Sequence, residues 1–217
     1  MARGTSFGSL HSHRDLNMIQ QTVDVQPAKP KLNIIDIPGA DGSKDLSAQP
    51  GGRIVFSDRE ITWTFALYPG ENWHAKHREV SDALNGLACN IYLDDDPEYY
   101  YTGRLSVDKY SIDRTLRQIT VKANCRPYKL KLEETEVTAA LSTAYTALYL
   151  SCGRKPVVPT ITVTAETTLL WEDTTITVPA GTHKILDIEL QEGENLLEAM
   201  VTSGTGEITV TYQEGAL

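Results

Sequence analysis

The stretch RIVFSDREITWTFALY (residues 53–68) constrains the fold more than any other part of the chain. Thr62, Thr64 and Ala66 alternate there with Trp63, Phe65 and Leu67, the period of two that suits a strand with one buried face. NMIQQTVDVQ (17–26) and KLNIIDI (31–37) carry β-branched residues in the same way, as do CNIYL (89–93), YYYTGRLSVDKYSI (99–112) and RQITVKANCRPYKL (117–130). Only PGENWHAKHREVSDALNGL (69–87) breaks the pattern. Trp73, Val80, Ala83 or Leu84, and Leu87 form one helical stripe there, with Lys76, Arg78, Glu79 and Asp82 on the polar face. Asn72 is placed to cap this helix and Asn85-Gly86 to stop it, so the main helix is expected at about 72–86.

Between two of the strands, IPGADGSKDLS (37–47) has a turn-forming composition and predicts a projecting hairpin or loop rather than a two-residue turn. Residues 133–160 read as transitional, ending in CGRKPVVPTI. Beyond them TITVTA, TTITVPAG, HKILDIEL, NLLEAMV and GEITVTY follow at short spacing with Gly and Pro between, the pattern of a β-sandwich to which TALYLS (146–151) also belongs. The fold class expected is mainly β: an α+β domain over 1–132 and a β-sandwich over 133–217.

Charge separates the same two regions. Residues 1–134 hold 17 Lys and Arg against 18 Asp and Glu, whereas 135–217 hold 3 against 11. An acidic half argues against nucleic-acid binding, which needs cations on phosphates. No apolar run approaches the ~20 residues of a membrane helix, and the opening residues lack a secretory h-region. Folding in a cytoplasm is expected, with Cys89, Cys125 and Cys152 reduced and buried.

Candidate chemistry is sparse. His74 and His77 stand at i, i+3 on the helix and His11 with His13 at i, i+2, but neither pair has an evident third ligand. No GxSxG, GxxxxGK[ST] or GxGxxG motif occurs. LDDDPEYYYTGRL (93–105) is the sharpest cluster. Its carboxylates are consecutive, so at most Asp94 and Asp96 converge in an extended chain, and Asp-Pro starts a turn. A solvated hairpin tip is the reading preferred over a cation site. Tyr99 and Tyr101 would face one way and Tyr100 the other, suited to a core or a subunit interface. Trp171 is a candidate sugar-stacking platform or a core residue.

Taken in order, SFG…HSHRDL, IPGADGSKDLS, ITWTFAL, a helix ending LNG, LDDDPEYYYTGRL and CRPYK resemble the distal tail protein family of siphophages, also called the phage tail component family. The resemblance covers residues 5–132 well. It is looser over the second half, where PAGTHKILDIELQEGEN and GTGEITVTYQEGAL are similar to the family's C-terminal, galectin-like sandwich. It implies a structural virion protein and no enzyme: a homo-hexameric ring whose first domains surround a channel for DNA. The ring would join the tail tube protein to a tail-tip or baseplate protein or a tail-associated lysin, with a receptor-binding protein as a further candidate partner.

Placement at the virion tail tip, synthesis in the host bacterial cytoplasm, no membrane insertion and no sequence-specific nucleic-acid binding go with it. No catalytic, metal or cofactor residue is implied. Subunit-interface candidates are Ile37, Pro38, Gly39, Asp41, Gly42 and Asp45, together with Tyr99, Tyr100 and Tyr101. The alternative is a carbohydrate-binding adhesion module for the host cell wall, with Trp171 as its platform.

Overall fold

Trp63, Phe65 and Leu67 are buried as their alternation requires, on strand β6 (Arg59–Leu67), with Thr62, Thr64 and Ala66 only half-buried on the other face. The computed structural model describes residues 3–39, 41–48, 52–108 and 117–217. The chain divides into two units, Met1–Lys129 and Leu130–Leu217.

In the first unit β1 (Thr5–Phe7), β2 (Leu10–His11), β3 (Met18–Val25), β4 (Ile34–Asp36) and β5 (Ser43–Asp45) precede β6. Helix α1 (Trp73–Leu84), β7 (Ala88–Leu93), β8 (Tyr99–Val107) and β9 (Gln118–Cys125) follow it. Strands β2-β1-β7-β8-β9-β6-β3 make one antiparallel sheet. The part of the YYYTGRLSVDKYSI run beyond Asp108 lies outside the described residues, as does Ala40.

Phe7 meets Trp63 edge to face, with ring centroids 5.1 Å apart, at the centre of a core completed by Phe65, Ile91 and Leu105. The helix packs on β8 and buries Trp73, Val80 and Leu84, the expected stripe. Two details depart from that expectation. Lys76 is buried rather than solvated, with its ammonium 2.9 Å from Glu79; its long stem lets a cation on the core side reach a carboxylate. Leu87 lies past the helix end, and is exposed.

The helix ends are set by side chains. Asn72 Oδ1 accepts from the Ala75 N–H at 3.2 Å. At the other end Asn85 Oδ1 accepts from Val107 N–H at 3.1 Å, and Gly86 (φ +83°) donates to Leu105 O at 2.9 Å. The left-handed turn that glycine permits therefore stitches the helix end to β8.

In the middle of the sheet, Gly103 stands between Cys89 and Cys125 in register. A Cβ there would come within 2.6 Å of Cys125 Sγ, so only glycine fits without moving the strand.

Strand β10 (Lys129–Lys131) falls where the chain passes between the units. The second unit contains β11 (Thr135–Leu141), β12 (Thr146–Cys152), β13 (Thr160–Val163), β14 (Thr167–Trp171), β15 (Thr174–Val178), β16 (Gly181–Lys184), β17 (Gly193–Val201), β18 (Gly206–Tyr212) and β19 (Gly215–Ala216). Two four-stranded sheets, β11-β18-β13-β16 and β12-β17-β14-β15, contribute to one core around Leu150, Ile161, Leu169, Leu197 and Val210.

The transitional reading of 133–160 is corrected at β11, where Glu136, Thr138 and Ala140 are exposed and alternate with half-buried Thr135, Val137 and Ala139 and buried Leu141; β12 is the expected TALYLS strand, with Leu148, Leu150 and Cys152 buried. HKILDIEL is not a continuous strand. After Lys184 the chain turns, with Ile188 N–H donating to Ile185 O at 3.2 Å, and Ile188 and Leu190 still reach the core.

Candidate functional site: an exposed arm and a tied acidic turn

Residues 29–39, 41–48 and 52–57 leave the first sheet, beginning as a ladder. Ser57 N–H donates to Lys29 O and Lys31 N–H to Val55 O, both at 2.8 Å, before β4 and β5 pair as a hairpin with Ile34 opposite Asp45 and Asp36 opposite Ser43. Every residue of β4 and β5 is exposed. Isoleucine 34 shows 55% of its surface, and Leu32, Ile35, Ile37 and Leu46 are also exposed. Short hydrogen bonds order the hairpin instead of a core. Ser47 Oγ accepts from Asn33 N–H at 2.7 Å, and Asp45 Oδ1 accepts from Ser47 N–H at 2.8 Å. The Ser47 hydroxyl and then its N–H hold Asp45 below the usual carboxylate range.

Of the interface candidates, Ile37, Pro38, Gly39, Asp41 and Gly42 form the exposed tip, with Gly39 and Gly42 at positive φ, and Asp45 closes β5. Five exposed aliphatic side chains within one hairpin (Leu32, Ile34, Ile35, Ile37 and Leu46) make an apolar surface of the kind that marks an interaction site.

LDDDPEYYYTGRL is a hairpin turn between β7 and β8, with Tyr92 opposite Tyr100. Its three aspartates are not merely solvated, because each has a partner. Asp94 Oδ2 accepts from Gly4 N–H at 2.9 Å and lies 3.3 Å from His11 Nε2. Asp95 pairs with Arg3 at 3.0 Å and Asp96 with Lys129 at 2.7 Å.

His11 is buried, and its Nδ1 accepts from the N–H groups of His13 (3.1 Å) and Arg14 (3.2 Å). A ring accepting at Nδ1 carries its proton on Nε2, which points it at Asp94. The turn is therefore a fastening point for the strands on either side of β1. The sequence places His11 and Asp94 far apart, and no local motif links them.

Of the tyrosines, Tyr101 is buried, with the Arg59 guanidinium 5.6 Å from its ring; burial pushes its hydroxyl pKa up. Tyr99 lies under the Lys129 ammonium at 4.2 Å, and Tyr100 packs beside Tyr92 at 5.6 Å. Those two remain half-buried. Trp171 is 7% exposed and belongs to the sandwich core, which leaves little of its face for a sugar ring. His77 stacks on Trp73 at 5.1 Å and His74 meets it edge-on at 5.4 Å. Among the described residues no three His, Cys, Asp or Glu side chains converge to hold a metal ion.

These features define a class: a mainly β protein whose first unit is a sheet with one helix among the described residues and an exposed hairpin arm, followed by an eight-stranded sandwich unit. The fold is shared with the SPP1 Dit (gp 19.1) protein, whose crystal structure is described as a paradigm of the hub adsorption apparatus in Gram-positive infecting phages. The likeness covers 98% of this chain and 99% of that one, with a TM-score of 0.66 and 16% sequence identity. No family model matches the chain, and no curated protein matches it.

Proposed function

We propose that the chain is the distal tail hub subunit of a long non-contractile phage tail. The single observation that carries this reading is the full-length likeness to a phage hub protein, which spans 98% of this chain. In this reading six copies close into a ring at the tail tip, join the tail tube to tip or baseplate proteins, and leave a passage for DNA. The role is structural, not catalytic.

A closed ring uses head-to-tail contacts, so each subunit needs two different complementary patches. The arm supports the assignment of one: its apolar side chains would gain by burial on a neighbouring copy, with Ile37, Pro38, Gly39, Asp41, Gly42 and Asp45 at or beside the contact. Tyr99 and Tyr100 are proposed for the same interface, while Tyr101 belongs to the core. The first unit also suits close packing of copies, with 16 Lys and Arg against 16 Asp and Glu. The ring-forming domain is proposed as 1–132 and the accessory sandwich as 133–217.

Class-averaged electron micrographs of the purified protein, alone and mixed with a tail tube or tail-tip partner, test the proposal. Six-fold rings with a lumen are expected. A monomer that forms no ring with either partner overturns it.

A further inference from the structure

The whole excess charge of the chain lies in the second unit, which holds 4 Lys and Arg against 13 Asp and Glu. Strands β12, β14, β15 and β17, which form one sheet, contain no Lys or Arg. On the outer face of that sheet Tyr149, 62% exposed, stands opposite Leu196, 47% exposed, and Leu170 stands opposite Glu198.

Period two puts Glu194 and Glu198 on the same face, on either side of Leu196. Glu172 completes the group from the two-residue turn between Trp171 and Thr174, at φ +50°. A left-handed glutamate costs roughly 1–2 kcal/mol, so the fold holds this carboxylate where a glycine or asparagine would turn more easily. Around Leu170 and Leu196 the three glutamates border a depression of about 300 Å³. No described residue pairs with the carboxylate of Glu172, Glu194 or Glu198.

Three unpaired carboxylates spread around an apolar floor do not make a metal site, because no three acidic groups converge. They match a cation on an apolar stem. An arginine offers a delocalised charge that gives up its water readily and methylenes that lie on leucine. A second copy of this face would bring like charges together, and nucleic acid would be repelled.

We propose that this face docks a basic protein segment: an arginine enters the depression among Glu172, Glu194 and Glu198, and an apolar neighbour rests on Tyr149. The inference does not depend on ring formation.

Titration calorimetry of the full chain with a synthetic peptide of alternating Arg and Leu tests it. Saturable one-site binding is expected, weakened roughly tenfold by Glu194→Gln with Glu198→Gln, and comparably by Tyr149→Ala with Leu196→Ser. Glu136→Gln with Glu207→Gln removes the same charge from the other sheet, and its affinity should stay within about twofold of the parent. The proposal is overturned by absence of binding at millimolar peptide, by equal loss in the Glu136/Glu207 control, or by no loss in the Glu194/Glu198 variant. A concentration-dependent mass abolished by Tyr149→Ala would assign the face to a second copy and also overturn it.

Discussion

In the arm, Ile34, Ile35 and Ile37 stand on or beside two three-residue strands whose residues are all exposed. Tyr149 and Leu196 are as exposed, but they stand on strands whose alternate residues, Leu148, Leu150 and Leu197, fill a core. The arm is held by its backbone ladder and a few side-chain hydrogen bonds, so its apolar groups contribute little to the stability of the isolated chain. The sheet beneath Tyr149 would form whatever its outer face carried. In both places the exposed apolar groups are separable from folding, yet only the sheet face has a rigid support.

The largest effect that sharpens this contrast is a one-residue shift along β17. Leu197→Ala should cost about 2–5 kcal/mol, whereas Leu196→Ala should stay within about 0.5 kcal/mol, both read from urea unfolding. Equal losses would mean that the outer face is packed after all. Next comes the acidic turn: Asp94→Ala removes the acceptor for Gly4 N–H and His11 Nε2 and should cost about 1–3 kcal/mol, followed by the fluorescence of the first unit's Trp63 and Trp73.

Of similar size is the effect of alkaline pH. Burial pushes the Cys125 thiol up from 9.0 to about 12 and that of Cys152 to about 11. Between pH 9.0 and those values the unfolded chain ionises while the folded chain keeps its protons. The unfolded state then binds fewer protons, so stability falls as pH rises through that window. Urea midpoints at pH 8 and pH 10 should show the decline, and Cys125→Ser should lessen its slope. The half-buried Cys89 should react with iodoacetamide before either buried thiol.

The smallest stability change is expected in the arm. Ile34→Ser with Ile35→Ser should leave unfolding within about 0.5 kcal/mol per site while abolishing rings in micrographs. A larger loss of stability would place these side chains against their own chain and remove the arm's support for assembly.

Much of this fold is legible in local pattern. The alternation through Trp63 and Phe65, the stripe from Trp73 to Leu84 and the Asn85-Gly86 stop all record which side of a short element meets the core, and the structure places them so. Lys76 misled because charge and burial are decided at opposite ends of a long side chain. Strand β11 escaped because Thr135 and Ala139 dilute the alternation that Val137 and Leu141 mark on its inward face.

The candidate surfaces were only partly readable. The composition of 37–47 announced a protrusion, but the exposure of Ile34 and Ile35 depends on what the rest of the chain declines to cover. The clustering of Glu172, Glu194 and Glu198 depends on strand register, and His11 reaches Asp94 only through the pairing of β1 with β7.

That last pairing has a consequence for biosynthesis. Strand β1 leaves the ribosome before the arm, β6 and the helix, yet its partner β7 and the turn that fastens it come after all of them. At translation rates of about 5–20 residues per second, the nascent chain carries β1 with only β2 to pair with, and no β7, for several seconds. Phe7, which ends at the centre of the core, waits through that interval for the strand that locks it in place.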